Sequence, residues 1–413
     1  MVNLIVSIIT LPLLLHFLGK SYYGIYAMLI SIISVLSFTD LGLSLGLLNS
    51  VPNYKIDRDP SKLSKAITGS FLISVIISFI LLIFFLLLFP MVDWNQFFNV
   101  KDFKPNGEIS RMVFVFFILY LLGAPFNVAN NYLVGNQQAY IVEVGRAIGN
   151  ILMLILIYLA IRLSLPPSAL VAISFTPTTI VYFIIFIILF FILSPRIRPR
   201  LRHYDKKTSR ELLSLGSRYF LLQIFAILFI SIDPIIIGKI INVTAVTDYS
   251  IMYRIATILS MPAVLFINQL LPAMNDAFVK FDRQWIKRGF YRILYSSLVY
   301  VAIITSILGI FGDRVLLYWL GPDIKFDFIH WIAVCALLLL TIFNTLFSMI
   351  FLMPALVRYN LFLFPIVVSL LFVGKVILLN TYNLSTMVIV SSLFYLIAFC
   401  IPGYFLLKRE KFI

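Results

Sequence analysis

The chain has 413 residues, 62% hydrophobic and only 12% charged, with 32 Lys and Arg against 17 Asp and Glu for a net charge of +15. Soluble domains carry about 25% charged residues, so this composition indicates a membrane protein and excludes a string of soluble domains. The positive surplus sits in loops between apolar runs, as in cytoplasmic loops facing anionic lipid; with no basic-aromatic module beside it, it does not indicate nucleic acid.

Apolar runs long enough to cross a bilayer as helices recur along the whole chain. In the first half they predict helices near 2–18, 24–48, 66–92, 111–134, 146–163 and 168–193. The chain opens directly into the first run, without a basic leader or a small-residue cleavage site, so that run reads as a retained helix and not a signal peptide. The run from Phe71 to Phe89 does not alternate, which argues against a transmembrane β-barrel. Lys55, Arg58, Lys62 and Lys65 follow the second helix. After the sixth comes 194–216, with Arg196, Arg198, Arg200, Arg202, Lys206, Lys207 and Arg210.

The second half predicts helices near 218–241, 249–271, 289–311, 328–352, 359–379 and 384–407. Lys280, Arg283, Lys287 and Arg288 follow the eighth, and the tail holds Lys408, Arg409 and Lys411. Longer loops of the opposite parity carry only Lys101, Lys104, Arg314 and Lys325, which places the basic loops and both termini in the cytoplasm. Trp94, Trp319 and Trp331 fall near the expected outer interfaces. The expected fold is an all-α polytopic membrane protein of about 12 transmembrane helices in two six-helix bundles around a central cavity. The bundles are expected at 1–193 and 217–413, joined by a basic cytoplasmic linker at 194–216. The stretches 16–73 and 239–298 run parallel, with Tyr26 matching Tyr249, and the first helix of each half carries a proline, Pro12 and Pro234, so the halves read as a repeat about an axis along the membrane normal.

Polar residues inside apolar runs are the candidate site, because charge in hydrocarbon is expensive and usually faces a wet cavity. Asp40 sits in the second helix, Asp233 in the seventh and Arg254 in the eighth. Asp233 and Arg254 fall at similar depth: they pair as a salt bridge, or they line a cavity where Asp233 exchanges a proton and Arg254 holds an anion. Lys239 and Lys375 lie near outer helix ends, where snorkelling to the headgroups accounts for them. Asp40, Asn127, Asn131, Asn268 and Asn344 lie about 16–20 residues from the outer starts of their helices, a shared depth in the inner half of the membrane. Interhelical hydrogen bonding explains that depth, and so does a polar vestibule for a hydrophilic headgroup. Pro125, Pro177, Pro262, Pro365 and Pro402 interrupt other helices. Cys335 and Cys400 read as buried structural thiols without metal-ligand spacing to any histidine. No zinc-hydrolase motif, phosphate-binding glycine loop or nucleophile elbow is present, so any active transport draws on an ion gradient, the membrane potential or consumption of the product.

Leu18-Gly19-Lys20 with Tyr23-Gly24-Ile25-Tyr26, followed by Phe38-Thr39-Asp40-Leu41-Gly42-Leu43, resembles the opening of bacterial oligosaccharide-lipid flippases of polysaccharide biosynthesis. These form the polysaccharide-transporter branch of the multidrug/oligosaccharidyl-lipid/polysaccharide exporter superfamily. In the second half Ile232-Asp233 with Ile237-Gly238-Lys239, Pro272-Ala273-Met274 through Ala277, Asp282, Trp285 and Ile286, and Leu317-Tyr318-Trp319-Leu320-Gly321 extend the likeness. Members usually carry a short polar, often basic segment before the first helix, whereas this sequence begins almost inside that helix, as a truncated or mis-assigned start would.

The resemblance implies two bundles around a cationic lumen in the bacterial inner membrane. The implied substrate is an undecaprenyl-pyrophosphate-linked oligosaccharide repeat unit, moved to the outer leaflet for O-antigen (lipopolysaccharide), capsule or exopolysaccharide. Arg254, Lys375 and Arg146 would offer charge to the pyrophosphate, beside Asp233, Asp40, Asn131, Asn268 and Asn344. The implied partners are the lipid-linked substrate, membrane lipids and the polysaccharide polymerase machinery. No cofactor is implied, and coupling to H+ or Na+ stays open. Two other readings stay open: a multidrug or cation antiporter of the same superfamily, and a membrane glycan polymerase or glycosyltransferase. The short outer loop near 93–110 weighs against an enzyme.

Overall fold

The computed structural model describes residues 2–36, 42–56, 60–100, 107–280, 282–351 and 357–409. Among them the regular structure is helical throughout, as a chain bathed in hydrocarbon requires, because a helix satisfies its own backbone N–H and C=O groups. Among the described residues ten helices are long and apolar enough to cross a membrane. The molecule is thus an all-α, multi-pass membrane protein.

The difference from the expected twelve lies at two breaks. The first two expected helices meet within the continuous stretch α1 (Val2–Leu36) as two helices on either side of a kink at Gly19, whose φ of 69° and ψ of 170° are non-helical. That left-handed φ is open to glycine and strained for any residue with a Cβ. The second expected helix ends in α2 (Leu43–Ile56). The seventh is divided between α9 (Lys206–Ile230) and α10 (Asp233–Ile240). Pro234 causes this division, since it lacks an N–H and its ring clashes with the carbonyl four residues back, at Ile230 where α9 stops.

The chain divides into two compact units, Met1–Ile227 and Leu228–Ile413. The first holds α1, α2, α3 (Pro60–Leu88), the short α4 (Trp94–Phe97), α5 (Glu108–Gly123), α6 (Asn127–Gly135), α7 (Ala139–Arg162), α8 (Pro167–Ile187) and most of α9. Leu47, Ala66, Ile67, Ala129, Phe190 and Leu212 are at the centre of its core. Pro125 falls in a 3-10 turn at Ala124–Phe126, between α5 and α6. The segment expected as the basic linker is packed onto this unit. Ile197 enters the core, His203 shares a 2.7 Å hydrogen bond with Ser64 on α3, and the Arg200 amide donates to Thr68 Oγ1 at 3.2 Å.

The second unit holds α10, α11 (Val243–Val279), α12 (Arg283–Leu320), α13 (Phe328–Phe351), α14 (Val357–Thr381), α15 (Leu384–Tyr395) and α16 (Ile401–Arg409). Asp282 caps α12 by accepting from the Trp285 amide at 3.0 Å. A π-helical turn, Leu396–Cys400, separates α15 from α16 just before Pro402, where the ring disturbs the regular ladder. Cys400 is buried and Cys335 half-buried, and both are free thiols. Trp331, expected near an outer interface, lies in the first turn of α13. It is buried against Gly312, and its indole N–H donates to Asp313 at 2.7 Å.

Candidate functional site

The second unit holds a partly open cavity of about 100 Å³ walled by the end of α9 and by α10, α11, α13, α14 and α15. A volume of that size has room for about three waters. Asp233 enters it from the first turn of α10, where the helix dipole favours a carboxylate. Lys375 enters it from α14 and is only 6% exposed, as is Asp233. Lys375 Nζ lies 2.7 Å from Asp233 Oδ1 and donates a longer bond, 3.4 Å, to the Phe229 carbonyl. Tyr249 Oη, from α11, donates to Asp233 Oδ2 at 2.7 Å. Both carboxylate oxygens are therefore engaged.

This geometry corrects two expectations. Lys375 does not snorkel to the headgroups, because its ammonium has a buried counter-ion to reach instead. The ion partner of Asp233 is Lys375 and not Arg254. Arg254, half-buried on α11 next to Tyr253, does not line the cavity although Tyr253 does.

Asn344, the expected residue on α13, does line it. Its Oδ1 accepts from Tyr395 Oη at 2.6 Å and from Ser348 Oγ at 3.3 Å. Ser391 Oγ, buried on α15 at the same cavity, has no hydrogen-bond partner among the described residues. Thr341 and Thr345 donate their hydroxyls to the carbonyls of Leu337 and Thr341, both at 2.8 Å, which leaves oxygen lone pairs for other partners. The cavity thus joins one ion pair to a wall rich in acceptor oxygens.

The other candidates lie elsewhere. Asn268 is exposed on α11. In the first unit Asn131 donates to Ser44 Oγ at 2.7 Å, tying α6 to α2, as the hydrogen-bonding reading expected. Arg146, on α7 of the same unit, pairs with Glu143 at 2.9 Å and donates to Tyr182 Oη at 3.4 Å. Asp40 lies outside the described residues. Sequence reasoning missed Tyr249, Tyr253, Ser391 and Tyr395 as cavity groups. The four-residue spacing of Tyr249 and Tyr253, which puts both on one helix face, and the Ser391-Ser392 pair inside an apolar run were the available signals.

The chain matches the model of the family described as "Polysaccharide biosynthesis protein" over residues 1–278. No curated protein matches it. Among solved structures, the inward-facing conformation of a multidrug resistance MATE family transporter of the MOP superfamily aligns with a TM-score of 0.78 at 14% identity, covering 98% of this chain and 94% of that one. A crystal structure of MATE in complex with MaD3S aligns at a TM-score of 0.64 and 14% identity, covering 99% and 93%. A MOP superfamily transporter from Pyrococcus furiosus, described as having a binding pocket of reversed polarity, aligns at 0.62 and 13% identity, covering 98% and 95%. At these identities the likeness establishes the fold and not the cargo. With its family match over 1–278 and its ten apolar helices of membrane length among the described residues, the chain belongs to the polysaccharide biosynthesis protein family and is a multi-pass membrane protein with the fold seen in MATE transporters.

Proposed function

We propose that this protein is a flippase that moves a polyprenyl-pyrophosphate-linked oligosaccharide from the cytoplasmic to the outer leaflet of a bacterial inner membrane, supplying O-antigen, capsule or exopolysaccharide synthesis. The observation that carries the reading is the family match over 1–278 in a chain built of membrane-spanning helices. A glycan made on a lipid carrier inside the cell must cross the bilayer before surface assembly. Its pyrophosphate cannot cross hydrocarbon alone.

In this reading both termini and the basic segment 194–216 face the cytoplasm, as the distribution of Lys and Arg supports. Arg254 is the proposed anion contact, since a guanidinium meets a pyrophosphate with paired hydrogen bonds that an ammonium does not reproduce. The polymerase machinery would receive the product at the outer leaflet. The MOP transporter whose pocket polarity is described as reversed illustrates that this fold accommodates sites of opposite charge, so the MATE-like architecture does not argue for a cationic drug.

Depletion of the protein in its host tests the reading. Lipid-linked repeat units should collect on the cytoplasmic leaflet while surface polysaccharide falls. Drug hypersensitivity with normal surface glycan would favour a multidrug exporter. A deletion strain that never makes the lipid-linked glycan would favour an enzyme.

A further inference from the structure

The cavity of the second unit has the oxygen-rich wall of a small-cation site, yet it already contains a cation of its own. Asp233 is engaged on both oxygens, by Lys375 Nζ and by Tyr249 Oη, each at 2.7 Å. Carboxylate and ammonium sum to zero, and both groups are almost fully buried. A free cation entering beside them would leave a net positive charge in a low-dielectric interior, where an uncompensated ion is costly.

Without the ammonium, the same walls change character. They present the Asp233 carboxylate, the Phe229 carbonyl now bonded to Lys375, the hydroxyl oxygens of Thr341 and Thr345 and the unpartnered Ser391 Oγ. Carboxylate, carbonyl and hydroxyl oxygens are what a hard cation prefers. The volume of about 100 Å³ accommodates such an ion with a water or two.

We propose that Lys375 is a tethered cation that occupies the place of a mobile one. The unsubstituted cavity takes up no free monovalent metal ion in this state, and the cavity stripped of the ammonium becomes a site for one, sodium being the probe. Lys375 is in this account a specificity-determining residue: it removes the second unit's cavity from any coupling to a sodium gradient. The inference rests on the chain being a transporter and not on the identity of its glycan. Its test therefore uses direct binding and needs no glycan substrate.

The experiment compares thermal unfolding of the full-length protein in detergent, in sodium chloride and in choline chloride at equal ionic strength, with 22Na binding in parallel. The unsubstituted protein should melt at the same temperature in both salts and bind no sodium that the Asp233→Asn exchange abolishes. Lys375→Met should show a saturable sodium-dependent rise in Tm of about 5 °C, with matching 22Na binding. Both should vanish in the Asp233→Asn/Lys375→Met double variant. Saturable sodium binding by the unsubstituted protein that requires Asp233 would overturn the proposal. So would a folded Lys375→Met protein indifferent to sodium, or one that fails to fold even in saturating sodium.

Discussion

Asp233 and Lys375, 142 residues apart in the chain, meet as a buried ion pair at 2.7 Å that ties α10 to α14. A buried pair is not in itself strongly stabilising, because desolvation of the two charges offsets their attraction. Removing one partner is another matter, since the remaining charge is left in a nearly dry interior. In choline chloride, Asp233→Asn or Lys375→Met alone should lower stability by about 3–5 kcal/mol, and the double variant should recover most of the loss. Thermal unfolding of the four proteins checks this. A double variant no more stable than the worse single one would show that the pair does not act as a unit.

The pairing changes what Arg254 is expected to do. Because Asp233 already has Lys375, Arg254→Ala leaves no orphaned carboxylate at Asp233. Transport per folded protein should therefore drop more for Arg254→Ala than for Lys239→Ala, with Arg254→Lys rescuing only part of it. Equal transport by Arg254→Ala and the unsubstituted protein would remove Arg254 from the substrate path.

Gly312 sits where a Cβ would stand 2.8 Å from the ring of Trp331, a buried indole that is also tied to Asp313. The ring cannot swing away without losing that 2.7 Å hydrogen bond. Gly312→Ala should therefore destabilise the α12–α13 contact by about 1–3 kcal/mol through overpacking. Gly309, one turn earlier, has open space around its Cβ position, so Gly309→Ala is the control, expected to be neutral or stabilising in a helix. Tm values of the two variants decide the matter.

Most of the helical order was legible in the chain because apolar runs of membrane length leave few alternatives. The runs placed one break and passed over another. The expected boundary after residue 18 coincides with the kink at Gly19, whereas Pro234 divides an expected helix without interrupting its hydrophobicity. The site was legible by residue type and not by pairing. Asp233, Lys375 and Asn344 stood out as polar residues in apolar surroundings, and all three line one cavity. Their partnership was hidden because Lys375 lies six residues from the end of its helix, a position from which a lysine can also reach the headgroups, and only packing decides between the two. Ser391 was passed over because serine hydroxyls are common in membrane helices, where most bond to their own backbone, and Tyr395 because it is one of 21 tyrosines in a chain rich in aromatic residues.

The start of α9 is set by Asp205. Its carboxylate accepts from the Thr208 hydroxyl at 2.6 Å and from the Thr208 amide at 3.0 Å. These bonds to the charged form, the hydroxyl first, hold the carboxyl below its ordinary value of 3.8, with Lys65 and Lys207 assisting. A folded value below the unfolded one means that the contribution is complete above pH 3.8 and is lost as pH falls through the lower, folded value. Amide exchange at Thr208 should speed up across that acid range. In Asp205→Ala it should be fast already at neutral pH. Slow exchange in that variant would show that the cap does not hold the helix start.

The flippase account is tested most directly by reconstitution. The purified protein is placed in liposomes carrying a polyprenyl-pyrophosphate oligosaccharide labelled in its glycan, and the fraction of label accessible to an external glycosidase is followed with time. The account predicts rapid exchange of the glycan between leaflets in vesicles containing the protein, strong loss of that exchange with Arg254→Ala, and none in protein-free vesicles. Label that stays on its original leaflet at the protein-free rate, with folded protein and with each of the sodium, proton and potential gradients applied in turn, would contradict it.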